Sequence, residues 1–120
     1  QITLLDSNQK KYAFLREVST NLGLSNLEVV LTRVEDFYPT TRFSCVVSRA
    51  FSSLNVFVKK TSHLCKEKGF LVAMKGQLNK TEIDSLPTNC IEEIIPLGIP
   101  FIQQERNLVF MTPILEKGGL

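Results

Sequence analysis

Residues 45–51 read Cys-Val-Val-Ser-Arg-Ala-Phe, three small or β-branched apolar residues running directly into a serine and an arginine. A short unbroken apolar run of this kind predicts a strand buried on both faces of a parallel sheet. The charge arrives where that strand would end, and an apolar helix pattern starts just beyond it. In open α/β sheets, ligands sit outside the carboxyl ends of the strands. Arg49 is therefore the first residue whose purpose needs an explanation.

The rest of the chain repeats the pattern. Ile2 to Leu5 is a strand-like run from the first residue onward, ending at Asp6-Ser7-Asn8. A chain that opens inside a core strand is expected to lack an earlier part of its domain. From Asn8 to Leu22 the period becomes helical, with Phe14, Leu15, Val18 and Leu22 on one face. Ser7 or Asn8 can cap this helix, and Gly23 stands at its left-handed C-terminal position. Leu27 to Leu31 predicts a second buried strand, and Cys45 to Val47 a third. Ser52 or Ser53 can cap the following helix, whose stripe is Leu54, Phe57, Val58, Leu64 and Cys65, with Gly69 as its stop. Phe70 to Met74 predicts a fourth buried strand, Lys80 to Leu86 a short helix closed by Pro87, and Ile91 to Ile95 a fifth strand. Pro96 and Pro100 place the far end of that strand at an edge or in a loop. Leu108 to Met111 is a last strand, expected to run antiparallel to the one before. Helices interleaved with buried strands give an α/β fold with a mostly parallel sheet and a C-terminal antiparallel hairpin.

Composition excludes more than it selects. The 120 residues are one domain's worth, and a net charge of +2 allows an anionic partner without demanding one. No apolar run approaches the ~18 residues of a membrane-spanning helix. Cys45, Cys65 and Cys90 are odd in number and widely spaced, as expected for reduced, buried thiols of a cytoplasmic protein. A zinc site would want paired ligands, and His63 is the one histidine. No metal is expected, and no Ser-His-Asp, Cys-His or paired-carboxylate arrangement is evident.

Four predicted strand ends carry polar groups: Asp6-Ser7, Arg33 with Glu35, Ser48-Arg49, and Lys75-Gly76-Gln77. In a parallel sheet they would share one edge. A carboxylate such as Asp6 can accept both hydroxyls of a ribose, or simply cap the helix that follows. Arg33 and Glu35 either pair with each other, or Glu35 receives an adenine amino group. Lys75 is either a solvated strand end or a phosphate contact.

These stretches are more specific together than singly. Leu4-Leu5-Asp6-Ser7-Asn8-Gln9-Lys10-Lys11 with Phe14-Leu15, then Arg33-Val34-Glu35, then Val47-Ser48-Arg49-Ala50-Phe51-Ser52-Ser53-Leu54, then Ala73-Met74-Lys75-Gly76, occur in the order found in one family. They resemble the motifs of the bacterial 16S ribosomal RNA guanine-N7 methyltransferases, first known as glucose-inhibited division protein B. Glu105-Arg106-Asn107-Leu108-Val109 resembles the family's closing segment, so the likeness covers essentially the whole chain. At Ser44 and Asn107 the family more usually has aspartate and histidine.

The resemblance implies a Rossmann-like class I methyltransferase sheet, N-terminally truncated. Residues 1–120 would be the C-terminal portion of a single domain, and the glycine-rich first motif would precede Gln1. It implies S-adenosylmethionine as cofactor, with Asp6, Val34, Glu35 and Arg49 holding it. It implies 16S ribosomal RNA or the small ribosomal subunit as partner, with Lys75, Lys10, Lys11 and Arg106 as RNA-binding or positioning groups. On its own such a portion would be inactive and open to self-association through an uncovered sheet edge. The alternatives are a non-catalytic α/β fragment and another Rossmann-like nucleotide-binding module.

Overall fold

The structure is a computed structural model that describes residues 1–49, 53–98, 100–101 and 103–114. In chain order the elements are β1 (Ile2–Asp6), α1 (Gln9–Leu22), β2 (Leu27–Leu31), β3 (Phe43–Arg49), α2 (Leu54–Thr61), β4 (Cys65–Lys75), α3 (Lys80–Asp84), β5 (Ile91–Pro96) and β6 (Asn107–Met111). Short 3-10 turns lie at Val34–Asp36 and Ser62–Leu64. The succession of strands and helices is the one that hydrophobic periodicity predicts. The chain forms two compact units, Gln1–Phe37 and Tyr38–Leu120.

The first unit is a β-α-β segment. β1 and β2 pair in parallel from Ile2 opposite Leu27 to Asp6 opposite Leu31. Asn8 caps α1 through its side-chain oxygen, which accepts the Lys11 amide at 3.1 Å. Gly23 ends the helix at φ 64°, a conformation that a Cβ would strain. The amides of Gly23 and Leu24 then return to the carbonyls of Thr20 and Ser19, closing a Schellman motif. No side chain of this unit is fully buried. Ile2, Phe14, Leu22 and Leu31 remain 54%, 64%, 68% and 44% exposed. The expectation of buried strands fails for β1 and β2, because within this unit α1 is the one helix available to cover them.

The second unit has strand order β3-β4-β6-β5. β3 and β4 are parallel, while β6 runs antiparallel to both β4 and β5. The C-terminal hairpin is thus present, with its second strand placed inside the sheet and β5 at the edge. That edge tolerates Pro96, which cannot donate to a ladder. The helices α2 and α3 pack on one face, where Leu54, Phe57, Val58, Leu71, Ala73, Leu86, Val109 and Met111 form the core. Each large aliphatic or aromatic side chain sealed there contributes about 1.5–3 kcal/mol of burial free energy.

Three expectations need correction in this unit. β3 is covered on one face, not two: Cys45 and Arg49 are exposed and Val47 is 56% exposed, with neighbouring Phe70 and Met74 also open. Cys45 is therefore not a buried thiol, whereas Cys65 and Cys90 are. The helical stripe also stops earlier than predicted. α2 ends at Thr61, and Cys65 already belongs to β4, so Gly69 lies inside a strand. A Cβ on Gly69 would stand 2.5 Å from the Ser44 carbonyl oxygen and 2.8 Å from Cys65 Sγ. The glycine is needed for close approach between β3 and β4, where the register shifts, and not as a helix stop.

Candidate functional site

In the first unit, Asp6 ends β1 and lies opposite the last residue of β2. The Asp6 carbonyl accepts the Thr32 amide at 3.1 Å, which binds the end of β1 to the stretch leading into the Val34–Asp36 turn. The Asp6 side chain is half-buried, and its Oδ1 accepts the Asn8 amide at 2.8 Å. The carboxylate thus does help to start the helix. A carboxylate has about four lone-pair sites, so capping leaves Oδ2 able to accept a hydroxyl. Val34 is half-buried, while Arg33 and Glu35 are exposed. Asp6, Val34 and Glu35 are therefore gathered at one end of a parallel strand pair. Lys10 and Lys11 stand exposed in the first turn of α1, which has no acidic residue. These two cations add positive charge to the helix start, opposed by the Asp6 carboxylate at the Asn8 amide.

In the second unit, Arg49 closes β3 in register with Met74 of β4. Its guanidinium is exposed, with no ion pair to another described residue. The Ser48 hydroxyl donates to the Arg49 carbonyl at 2.8 Å. Of the Ser48-to-Ser53 motif, Ala50, Phe51 and the proposed cap Ser52 lie outside the described residues. Ser53 is the observed cap, its Oγ accepting the Val56 amide at 3.2 Å.

The end of β4 is held more firmly than the sequence suggested. Lys75 is not solvated: its Nζ lies 2.9 Å from Glu82 Oε2, with side-chain exposures of 12% and 10%. The next carbonyl, of Gly76, accepts a 2.9 Å hydrogen bond from Asn107 Nδ2, and Asn107 is buried. Arg106 lies beside the same turn, its Nη1 3.5 Å from where a Gly76 Cβ would be. Its guanidinium is oriented by the Glu105 carbonyl and Gln104 Oε1, each 2.8 Å away. Arg49, Lys75 and Arg106 thus share the end of the sheet formed by the C-termini of β3 and β4 and the N-terminus of β6. The predicted strand-end constellation falls as two sets, one in each unit.

Glu82 was not singled out in the sequence, although a signal exists. In Asn79-Lys80-Thr81-Glu82 the pair Asn79 and Glu82 has the separation of a capping box. Asn79 does accept the Glu82 amide at 2.7 Å. The Glu82 carboxylate, however, reaches away to Lys75 and to the Leu54 amide. Among the described residues, no group of three or more His, Cys, Asp or Glu side chains could hold a metal ion. No helix among them is long and apolar enough to cross a membrane.

Comparison with known proteins gives this geometry a family. A family model described as rRNA small subunit methyltransferase G matches residues 1–109. A protein of that name from Chromobacterium violaceum is 47% identical over 113 residues, covering 93% of this chain and 54% of its own length. One from Laribacter hongkongensis is 47% identical over 109 residues, covering 90% and 53%. The chain therefore spans about half the length of the curated relatives it matches. Among solved structures, an rRNA methylase from Streptococcus thermophilus superimposes with a TM-score of 0.66 at 14% identity, over 96% of this chain and 74% of that one. TrmN from Thermus thermophilus gives 0.68 at 14% identity, over 92% and 36%. These two show the fold, an α/β class I methyltransferase sheet, and the family match shows the descent: the chain belongs to the rRNA small subunit methyltransferase G family.

Proposed function

We propose that the complete protein carrying this chain transfers a methyl group from S-adenosylmethionine to guanine N7 of 16S ribosomal RNA, in the cytoplasm. The observation that carries the proposal is the family match over residues 1–109, which includes Asp6, Arg49, Lys75 and Arg106. When bound, S-adenosylmethionine supplies an electrophilic methyl on a sulfonium. Asp6 would accept the ribose hydroxyls through the oxygen not engaged by Asn8, with Val34 and Glu35 framing the adenine.

Guanine N7 has a lone pair and no proton to remove. The chain therefore needs no general base, and its task is alignment. Positive charge passes from sulfur to the purine, so a guanidinium beside N7 would oppose the transfer. Arg49 accordingly binds the cofactor carboxylate, an RNA phosphate or guanine O6 and leaves N7 clear. Those are planar contacts that guanidinium makes in pairs and an ammonium does not. Arg106, Lys10 and Lys11 serve the RNA backbone, with the target base in a loop or flipped from its stack.

The test is methylation kinetics of the full-length protein with Arg49→Lys. The substitution keeps the charge and removes the fork, and should lower kcat/KM by about tenfold or more, the loss of one bidentate contact worth about 1.5–3 kcal/mol. Unchanged kinetics would remove Arg49 from the site.

A further inference from the structure

We propose that Glu82 is a positioning residue for this transfer: it clamps to the first turn of α2 the end of β4, the strand with which Arg49 is paired. The proposal rests on the methyltransferase reading above.

One oxygen does the joining. Glu82 Oε2 accepts the Leu54 amide at 2.9 Å and the Lys75 ammonium at 2.9 Å. The first amides of a helix have no partner within it. Ser53 satisfies that of Val56, and Glu82 satisfies that of Leu54 from another element. An anion is also favoured there by the helix dipole. Both bonds are charge-assisted, and both lie in a place that water barely reaches.

Glu82 is itself held. Its amide donates to Asn79 Oδ1 at 2.7 Å, and its carbonyl accepts the Ser85 hydroxyl at 2.7 Å. Arg49 is tied to Met74 of β4 through the parallel ladder. Leu54 is tied to Lys75 of β4 through Glu82. The last residue of β3 and the first of α2 are thus referred to consecutive residues of one strand. Asn107 pins the following carbonyl, that of Gly76, from the other side. In this arrangement Lys75 is an anchor whose charge Glu82 neutralises, and Arg49 and Arg106 are the cations left to meet a ligand.

Three variants of the full-length protein separate positioning from mere folding: Glu82→Gln, Glu82→Ala and Lys75→Met. Glu82→Gln keeps an acceptor for Leu54 but loses the ion pair. It should leave exchange of the Leu54 amide nearly unchanged while kcat falls about tenfold, as small misplacements at an alignment-limited site do. Glu82→Ala should speed Leu54 exchange by about tenfold or more and lower kcat further. Because Glu82 and Lys75 act as a pair, Lys75→Met combined with Glu82→Gln should be no slower than the worse single variant. The proposal is overturned if Leu54 stays protected in Glu82→Ala, if kcat is unchanged in both Glu82 variants, or if the Lys75 and Glu82 losses multiply. Should the unsubstituted protein not methylate RNA, the functional reading fails and the role in transfer falls with it, while amide exchange still decides whether the clamp exists.

Discussion

Asn107→Ala tests the hold on the β4 end at its least exposed hydrogen bond. Asn107 is 5% exposed, and its Nδ2 donates to the Gly76 carbonyl at 2.9 Å. Truncation forfeits about 1 kcal/mol for the bond and adds part of the 1–3 kcal/mol cost of an unpartnered carbonyl. Gly76 is only half-buried, so water offsets some of that second amount. The sum is about 2 kcal/mol, or about 6–8 °C in Tm for a domain of this size. Thermal and urea unfolding of this chain would read it. Asn107→Asp supplies the sharper comparison, because it keeps the shape and replaces the donor by an acceptor facing a carbonyl. At neutral pH it should be less stable than Asn107→Ala. Burial and carbonyl repulsion would raise the new carboxyl's folded pKa above its unfolded value. The variant's relative stability is then fullest below the unfolded pKa and is lost as pH rises through the folded one. It should therefore recover against Asn107→Ala in acid, where the protonated carboxyl can donate. A loss below about 0.5 kcal/mol for Ala, or an Asp variant as stable as the original at pH 7, would refute the role given to this hydrogen bond.

Gly69→Ala should destabilise this chain by about 1–3 kcal/mol, since the added methyl meets a backbone carbonyl and a buried sulfur; urea unfolding checks this. Of the three cysteines, Cys45 should react with a thiol reagent in the native chain, while Cys65 and Cys90 react only on unfolding, as counted by mass spectrometry. Burial pushes the Cys65 and Cys90 thiols up. Their contribution to stability should hold below the ordinary thiol pKa and be lost as pH rises past it, which alkaline unfolding curves would show. For RNA binding by the full-length protein, Arg106→Met should reduce the slope of log K against log salt by about 0.7, and Lys75→Met should leave it unchanged, because Glu82 already neutralises Lys75.

Much of the fold is legible where local chemistry decides. Asn8, Gly23 and Ser53 mark helix ends through capping, and Pro96 marks an edge strand, because each effect acts within a few residues. Cys65 to Gly69 is not legible: Leu64 and Cys65 prolong the apolar stripe of α2, and nothing local distinguishes that from the start of a strand. The coverage of β3 is hidden for another reason. An apolar run shows that a strand can be buried on both faces, and says nothing of whether the chain supplies a layer for each. The insertion of β6 between β4 and β5 is a matter of long-range register. The strand-end residues, Asp6 in the first unit and Arg49 and Lys75 in the second, are visible from pattern. The partner of Lys75 is not, because Glu82 sits in a helix start that looks self-sufficient.

Methyl transfer to guanine N7, the activity proposed for the complete protein, leaves a product that can be read directly. Small-subunit RNA methylated by the full-length protein with isotopically labelled S-adenosylmethionine can be digested to nucleosides and resolved by mass spectrometry. Label is expected in N7-methylguanosine from 16S ribosomal RNA. Label on another atom or base, or no label beside an active control enzyme, would contradict it.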